Sequence, residues 1–238
     1  MKMRSLLIAF LLIIGAGQVM AHALWIETKA TGKAGQPQEV KVYYGEYATN
    51  ERDEVSKWYS DVKEFTLWLT APGKPKVKLT TTPGSNFYSA TFTPEGNGVY
   101  VVSVAHAPSE LDGTTKYEFS SVASVAVGAV NTIDLGNIAN DLKVTVDQAK
   151  NYKLNTPVKL KATRDNKPLA NKSVTVFSPE GWTKEYTTDA NGVISFSPAW
   201  AGRYLLEVSN YEKTAGEHNG KSYTASWQGS TSSFEVGK

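Results

Sequence analysis

Apolar and polar residues alternate with a period of two along most of this chain. Runs rich in Val, Thr, Tyr and Phe recur at short intervals, separated by Gly, Pro, Asn and Asp, and each predicts a strand with one face buried. A first set comprises Gln38 to Tyr44, Glu64 to Thr70, Asn86 to Phe92, Gly98 to Ala105 and Lys116 to Val127. A second set comprises Leu142 to Asp147, Val158 to Thr163, Ser173 to Ser178, Val193 to Ser197, Arg203 to Ser209 and Ser222 to Trp227. Glu51 to Asp61 is the one stretch that reads as a short helix or an ordered loop.

The two sets part near Gly128 to Asn140, where large side chains thin out. Each half holds roughly 100 residues, enough for a seven-stranded sandwich. The expectation is an all-β protein with two tandem antiparallel β-sandwich domains of immunoglobulin-like kind, residues 22–130 and 141–238. A core of this size needs no covalent staples, in keeping with a chain that has no cysteine. The same absence excludes thiolate metal sites and a cysteine nucleophile.

Residues 1–21 read as a cleaved signal peptide. Lys2 and Arg4 precede the apolar run Leu6 to Ile14, and Val19-Met20-Ala21 fits the cleavage positions. Cleavage after Ala21 leaves 217 residues (238 minus 21). The leader removes two of 25 basic residues and none of 23 acidic ones, so the mature chain is neutral. Neutrality argues against nucleic acid as a partner, and no apolar run beyond the leader offers a membrane anchor. The expected location is the periplasm.

Cleavage there would make His22 the first mature residue. Its α-amine and imidazole could then close a chelate ring on one metal ion. Two further residues are candidates for the same site. His106 ends the strand-like run from Gly98, and Glu46 follows a glycine turn in Tyr43-Tyr44-Gly45-Glu46-Tyr47. A first strand, an early turn and a late strand end can meet at one end of a sandwich. The predicted metal ligands are therefore His22, His106 and Glu46. His218, in a polar hairpin of the second half, is expected to be exposed unless the halves fold toward each other. Nitrogen ligands without thiolate favour copper(II), with nickel close behind. An α-amine, with a reference pKa near ~8, must lose its proton to bind, so affinity should fall with pH. No Gly-x-Ser-x-Gly elbow is present, and three scattered histidines make a catalytic triad improbable, so an enzyme is not expected.

The start His22-Ala23-Leu24-Trp25-Ile26-Glu27, with Gly35-Gln36, Val40 to Tyr44 and Gly45, resembles a periplasmic family of uncharacterised domains linked to cobalt or nickel transport and related to nickel-uptake proteins. Gly98 to Val102 and the segment Glu217, Gly220-Lys221, Tyr223 and Ser226 extend the resemblance. Where many relatives carry a histidine after the glycine, this chain has Glu46. The resemblance implies a transition metal ion (nickel, cobalt or copper) as ligand and a membrane metal transporter as partner. In the second half, Lys167 to Lys172 before Ser173 to Val176, then Thr188-Asp189-Ala190-Asn191-Gly192, and Ala201 to Tyr204, resemble prealbumin-like modules, which serve mostly as spacers or docking platforms. The expected function is a periplasmic metal-binding protein that delivers or buffers the ion. The alternative is a structural or adhesive module that binds protein or glycan.

Overall fold

A computed structural model describes residues 22–130, 132–135, 138 and 140–238. The signal-peptide reading of residues 1–21 lies outside the described residues. The protein is an all-β sandwich structure. The first half contributes β1 (Ala23–Thr28), β2 (Gln38–Gly45), β3 (Leu67–Thr70), β4 (Val77–Leu79), β5 (Tyr88–Phe92), β6 (Gly98–His106) and β7 (Thr115–Val127). The second contributes β8 (Leu142–Val146), β9 (Val158–Arg164), β10 (Ser173–Phe177), β11 (Thr183–Thr187), β12 (Val193–Phe196), β13 (Gly202–Glu212) and β14 (Ala225–Gly237). In the first half β1, β2 and β5 form one sheet, opposite β4, β3, β6 and β7. In the second half β8, β9 and β12 face β11, β10, β13 and β14.

The halves repeat each other strand for strand, and short motifs repeat with them. Phe92-x-Pro94-x-x-x-Gly98-x-Tyr100 returns as Phe196-x-Pro198-x-x-x-Gly202-x-Tyr204. Each tyrosine reaches back four residues to the backbone, Tyr100 to the Gly96 carbonyl at 3.0 Å and Tyr204 to the Trp200 carbonyl at 3.2 Å. This is the corner that closes many β-sandwiches. The Pro94 carbonyl accepts from the Gly35 N–H at 2.8 Å, and the Pro198 carbonyl accepts from the Asn155 N–H at 2.9 Å.

One pairing departs from the antiparallel pattern. The last strands of the two halves, β7 and β14, lie side by side and parallel, from Ala225 opposite Thr115 to Ser232 opposite Val122. One continuous sheet therefore runs through both halves. Paired residues share a face. Phe119, Ala123, Val125 and Val127 of β7 enter the first core, whereas Phe234 and Val236 of β14 enter the second. The register puts these two sets on opposite faces, so the two cores lie on opposite sides of the common sheet. Residues of the connecting segment, Ile133, Leu135 and Ile138, cover Val101 and Val122 on the outer side of the first half.

The joint is lined by small hydroxyl side chains: Ser120, Ser121, Ser230, Thr231 and Ser232 are all buried. Several of them satisfy β1. One edge of that strand pairs with β2; the other would leave buried polar backbone groups. The Thr231 hydroxyl donates to the Leu24 carbonyl at 2.7 Å, and Ser233 donates to the Ile26 carbonyl at 2.8 Å. The Ile26 N–H donates to Ser121 Oγ at 3.1 Å, and Arg203 donates to the Thr28 carbonyl at 3.1 Å. The first strand of the chain is thus capped along its length by side chains of the common sheet.

A polar clamp closes the end of the first half beyond β6. Asp61 accepts from the Ser109 N–H at 2.9 Å and lies 3.2 Å from His106 Nε2. From the second half, His218 Nε2 donates to the Pro108 carbonyl at 2.8 Å and Lys221 pairs with Glu110 at 2.5 Å. His218 is therefore engaged by the first half.

Two predictions follow from this framework. Thr231→Val keeps the shape but strands the buried Leu24 carbonyl. It should cost about 1–3 kcal/mol in urea unfolding with an unchanged m-value; full stability would show the hydroxyl to be dispensable. Burial works to raise the Asp61 pKa, but the Ser109 N–H and the His106 ring outweigh it and hold the group at about 2. The folded pKa lies below the unfolded one, so this stabilisation is full above about pH 4 and vanishes as pH falls through about 2. Asp61→Asn should lose on the order of 1 kcal/mol at pH 7, a deficit that closes toward pH 2.

Candidate metal centre

The candidate centre sits where β1 begins. Leu24, Trp25 and Ile26 are essentially inaccessible, so the start of the strand is anchored. Ala23 pairs with Gly45, which brings His22 to the turn after β2. Gly45 has φ +148°, and a Cβ there would lie 2.6 Å from the Glu51 carbonyl oxygen. Only glycine lets the chain fold back this closely. The following loop is then tied to its own strand: the Glu51 N–H donates to the Glu46 carbonyl at 2.9 Å, and the Asp53 N–H donates to the Tyr44 carbonyl at 3.0 Å. Trp58 Nε1 holds the Asp53 carbonyl at 3.1 Å.

Within this loop Arg52 turns away from its neighbours. It pairs with Glu27 at 3.1 Å and lies over the rings of Trp25 and Tyr43, 5.6 and 5.0 Å from their centroids. Glu51 and Asp53 meet His22 instead. One ligand atom from each of His22, Glu51 and Asp53 lies within 4.8 Å of the others. His22 Nε2 stands 3.3 Å from Asp53 Oδ2, with the imidazole tilted over the Tyr44 ring at 5.3 Å. The histidine is half-exposed and Asp53 largely shielded, so an ion could enter from the His22 side. Burial and the Asp53 charge hold the Tyr44 hydroxyl well above its usual range, and it stays neutral.

Of the three ligands expected from sequence, His22 is in this triad. Glu46 borders it: burial raises the Glu46 carboxyl, against the opposing effects of the Ala48 N–H and of His22. The structure places His106 in the clamp with Asp61, outside the triad. Glu51 and Asp53 were not singled out from the sequence. The available signal was the alternation Glu51-Arg52-Asp53 just past a glycine turn, which places both acids on one side of an extended segment. The donors are one imidazole and two carboxylates, a set for a divalent ion of borderline or hard character. Sulfur is absent from the neighbourhood and beyond: there is no cysteine, and the three methionines are Met1, Met3 and Met20. Elsewhere, Asp189 Oδ1 accepts from the N–H groups of Asn191 and Val193, both at 2.8 Å, so the Asp-x-Asn-Gly stretch is a hairpin turn.

No curated protein matches the chain. Among solved structures, fibronectin(III)-like modules of Clostridium thermocellum CbhA share 11% identity, over 89% of this chain and 94% of theirs, with a TM-score of 0.25. Salmonella alpha-2-macroglobulin reacted with methylamine shares 9% identity, over 90% of this chain but 15% of its own length, with a TM-score of 0.27. Nothing about activity follows from either. The model of a domain of unknown function, DUF4198, matches residues 19–212, which include His22, Glu51 and Asp53. By that match over most of its length, the chain belongs to the DUF4198 family.

Proposed function

We propose that the mature protein is a periplasmic, non-catalytic carrier of a divalent transition metal ion. It holds nickel, cobalt or copper at His22, Glu51 and Asp53, and buffers or delivers the ion beside a membrane metal transporter. The observation that carries this reading is the convergence of those three side chains within 4.8 Å at the first residue after the expected cleavage point. If the chain is cut after Ala21, the α-amine of His22 adds a second nitrogen and closes a chelate with the imidazole. Two nitrogens and two carboxylate oxygens make a set that copper(II) and nickel(II) favour.

A second reading, a module that docks on protein or glycan, draws on Trp182 and Trp200. These indoles are 38% and 37% exposed with centroids 5.9 Å apart. The matching corner of the first half carries the ion pair Lys74–Glu95 instead. Binding of copper, nickel and cobalt to the mature protein separates the two readings.

The mature protein, titrated with each ion against a competing chelator, should bind one equivalent. His22→Ala should weaken binding roughly 100-fold or more, and Asp53→Asn roughly 10-fold, by loss of a donor. His106→Ala should leave affinity within about twofold, because that imidazole is outside the triad. One extra residue before His22 should be almost as damaging as His22→Ala, since it moves the amine out of the chelate. Acidification should release the ion, because amine and imidazole bind only without their protons. Unchanged affinity in both His22→Ala and the extended protein would refute the site.

A further inference from the structure

The candidate centre lies against the second half of the molecule. Along β13, Arg203, Leu205 and Glu207 share the face of the common sheet over which β1 passes. Leu205 packs with Trp25 and Phe177, and with Tyr47 and Ala48 of the loop after β2. Arg203 is fully engaged by Glu27 at 3.6 Å, Glu235 at 2.5 Å and the Thr28 carbonyl. Glu207 is next in the row. Its register partner on β14 is Thr231, whose hydroxyl is bound to the Leu24 carbonyl. Glu207 is thus one strand away from the point where β1 starts and His22 stands.

Glu46 approaches from the other side. It lies at the position opposite His22, and the turn that follows it rests on Leu205 and Phe177. Two carboxylates from different halves therefore face each other beside the His22, Glu51 and Asp53 triad. Burial raises the Glu207 carboxyl most, and the charge of Glu46 adds to it, to about 7. Among the described residues no hydrogen bond or cation pairs with Glu207. A largely buried carboxylate whose nearest charge is another carboxylate is costly for folding alone. Its cost is offset when a cation arrives.

We propose that Glu207 is the second half's contribution to the metal centre: with Glu46 it forms an acidic wall that meets the charge of the divalent ion and ties the two halves together through it. This rests on the metal-carrier reading above. The pair acts by charge at close range, with the first donors remaining on the β1 side.

The test is Glu207→Gln in the mature protein, with nickel(II) and copper(II) as probes and unfolding of the metal-free protein as control. Affinity for both ions should fall about 10-fold, the scale of one lost charge near the ion. Metal-free stability at pH 7.5 should stay the same or rise, because a repulsion has been removed. Glu46→Gln should produce a drop of the same kind. The double variant should lose less than the two single losses combined, because the groups act as one wall. Wild-type binding with Glu207→Gln within twofold of it would overturn the proposal and leave the carrier reading standing. A metal-free protein destabilised as much as its affinity is reduced would assign Glu207 to folding, which also overturns it. Failure of the wild-type protein to bind either ion would remove the parent reading and this one together. Should Glu207→Gln not fold, Glu46→Gln alone decides: unchanged affinity refutes the wall.

Discussion

The parallel pairing of β7 with β14 is the contact on which the other features depend. It fuses two sandwiches into one sheet and sets their cores on opposite faces. A strand buried on both faces usually reads as an unbroken hydrophobic run. This joint uses serine and threonine instead, because one face must also satisfy the free edge of β1. Two hydroxyls of β14 do that directly, at the Leu24 and Ile26 carbonyls. Larger apolar side chains there would hold β1 away from the sheet and leave its backbone without partners. The small residues are the condition for the first strand to lie where it does.

The candidate centre inherits its precision from that placement. β1 fixes His22 from one side, and the fold-back at Gly45 fixes Glu51 and Asp53 from the other. Arg52 is the counterweight within the loop. Drawn into Glu27 and the aromatic faces of Trp25 and Tyr43, it leaves the acids on the opposite side without its charge. Arg203 binds the same Glu27 from the second half. The acidic pocket is therefore sorted by an ionic network that crosses the joint.

Much of the fold was legible in the chain because period-two alternation reports a half-buried strand directly. The strands from Gln38, Gly98, Val158 and Ser173 start where their patterns start. The last strand was not legible at its full length. Its pattern was read to Trp227, yet β14 continues to Gly237 through Gln228-Gly229-Ser230-Thr231-Ser232-Ser233. That stretch carries no hydrophobic signal, since its side chains serve hydrogen bonds at the joint. The stretch expected as a helix or ordered loop, Glu51 to Asp61, is a loop with a single 3₁₀ turn at Val55–Lys57. His22 could be singled out because its position follows from a processing signal. Its neighbours Glu51 and Asp53 could not, because their meeting depends on the backbone path after Gly45. His106 drew notice as one of three histidines, but which carboxylate it would find is a tertiary fact.

The capping of β1 by β14 also bears on the order in which the molecule assembles. The partners Leu24 and Thr231 are separated by 207 positions, so nearly the whole chain must be present before the first strand has all its hydrogen bonds. Contacts this distant in sequence form late and slow the search for the native state. A chain emerging from its amino terminus can build part of the first core, yet its opening strand keeps an open edge until the last thirteen residues of strand close against it. The two ends of the polypeptide finish together, and His22 is set in place as one of the final events of folding.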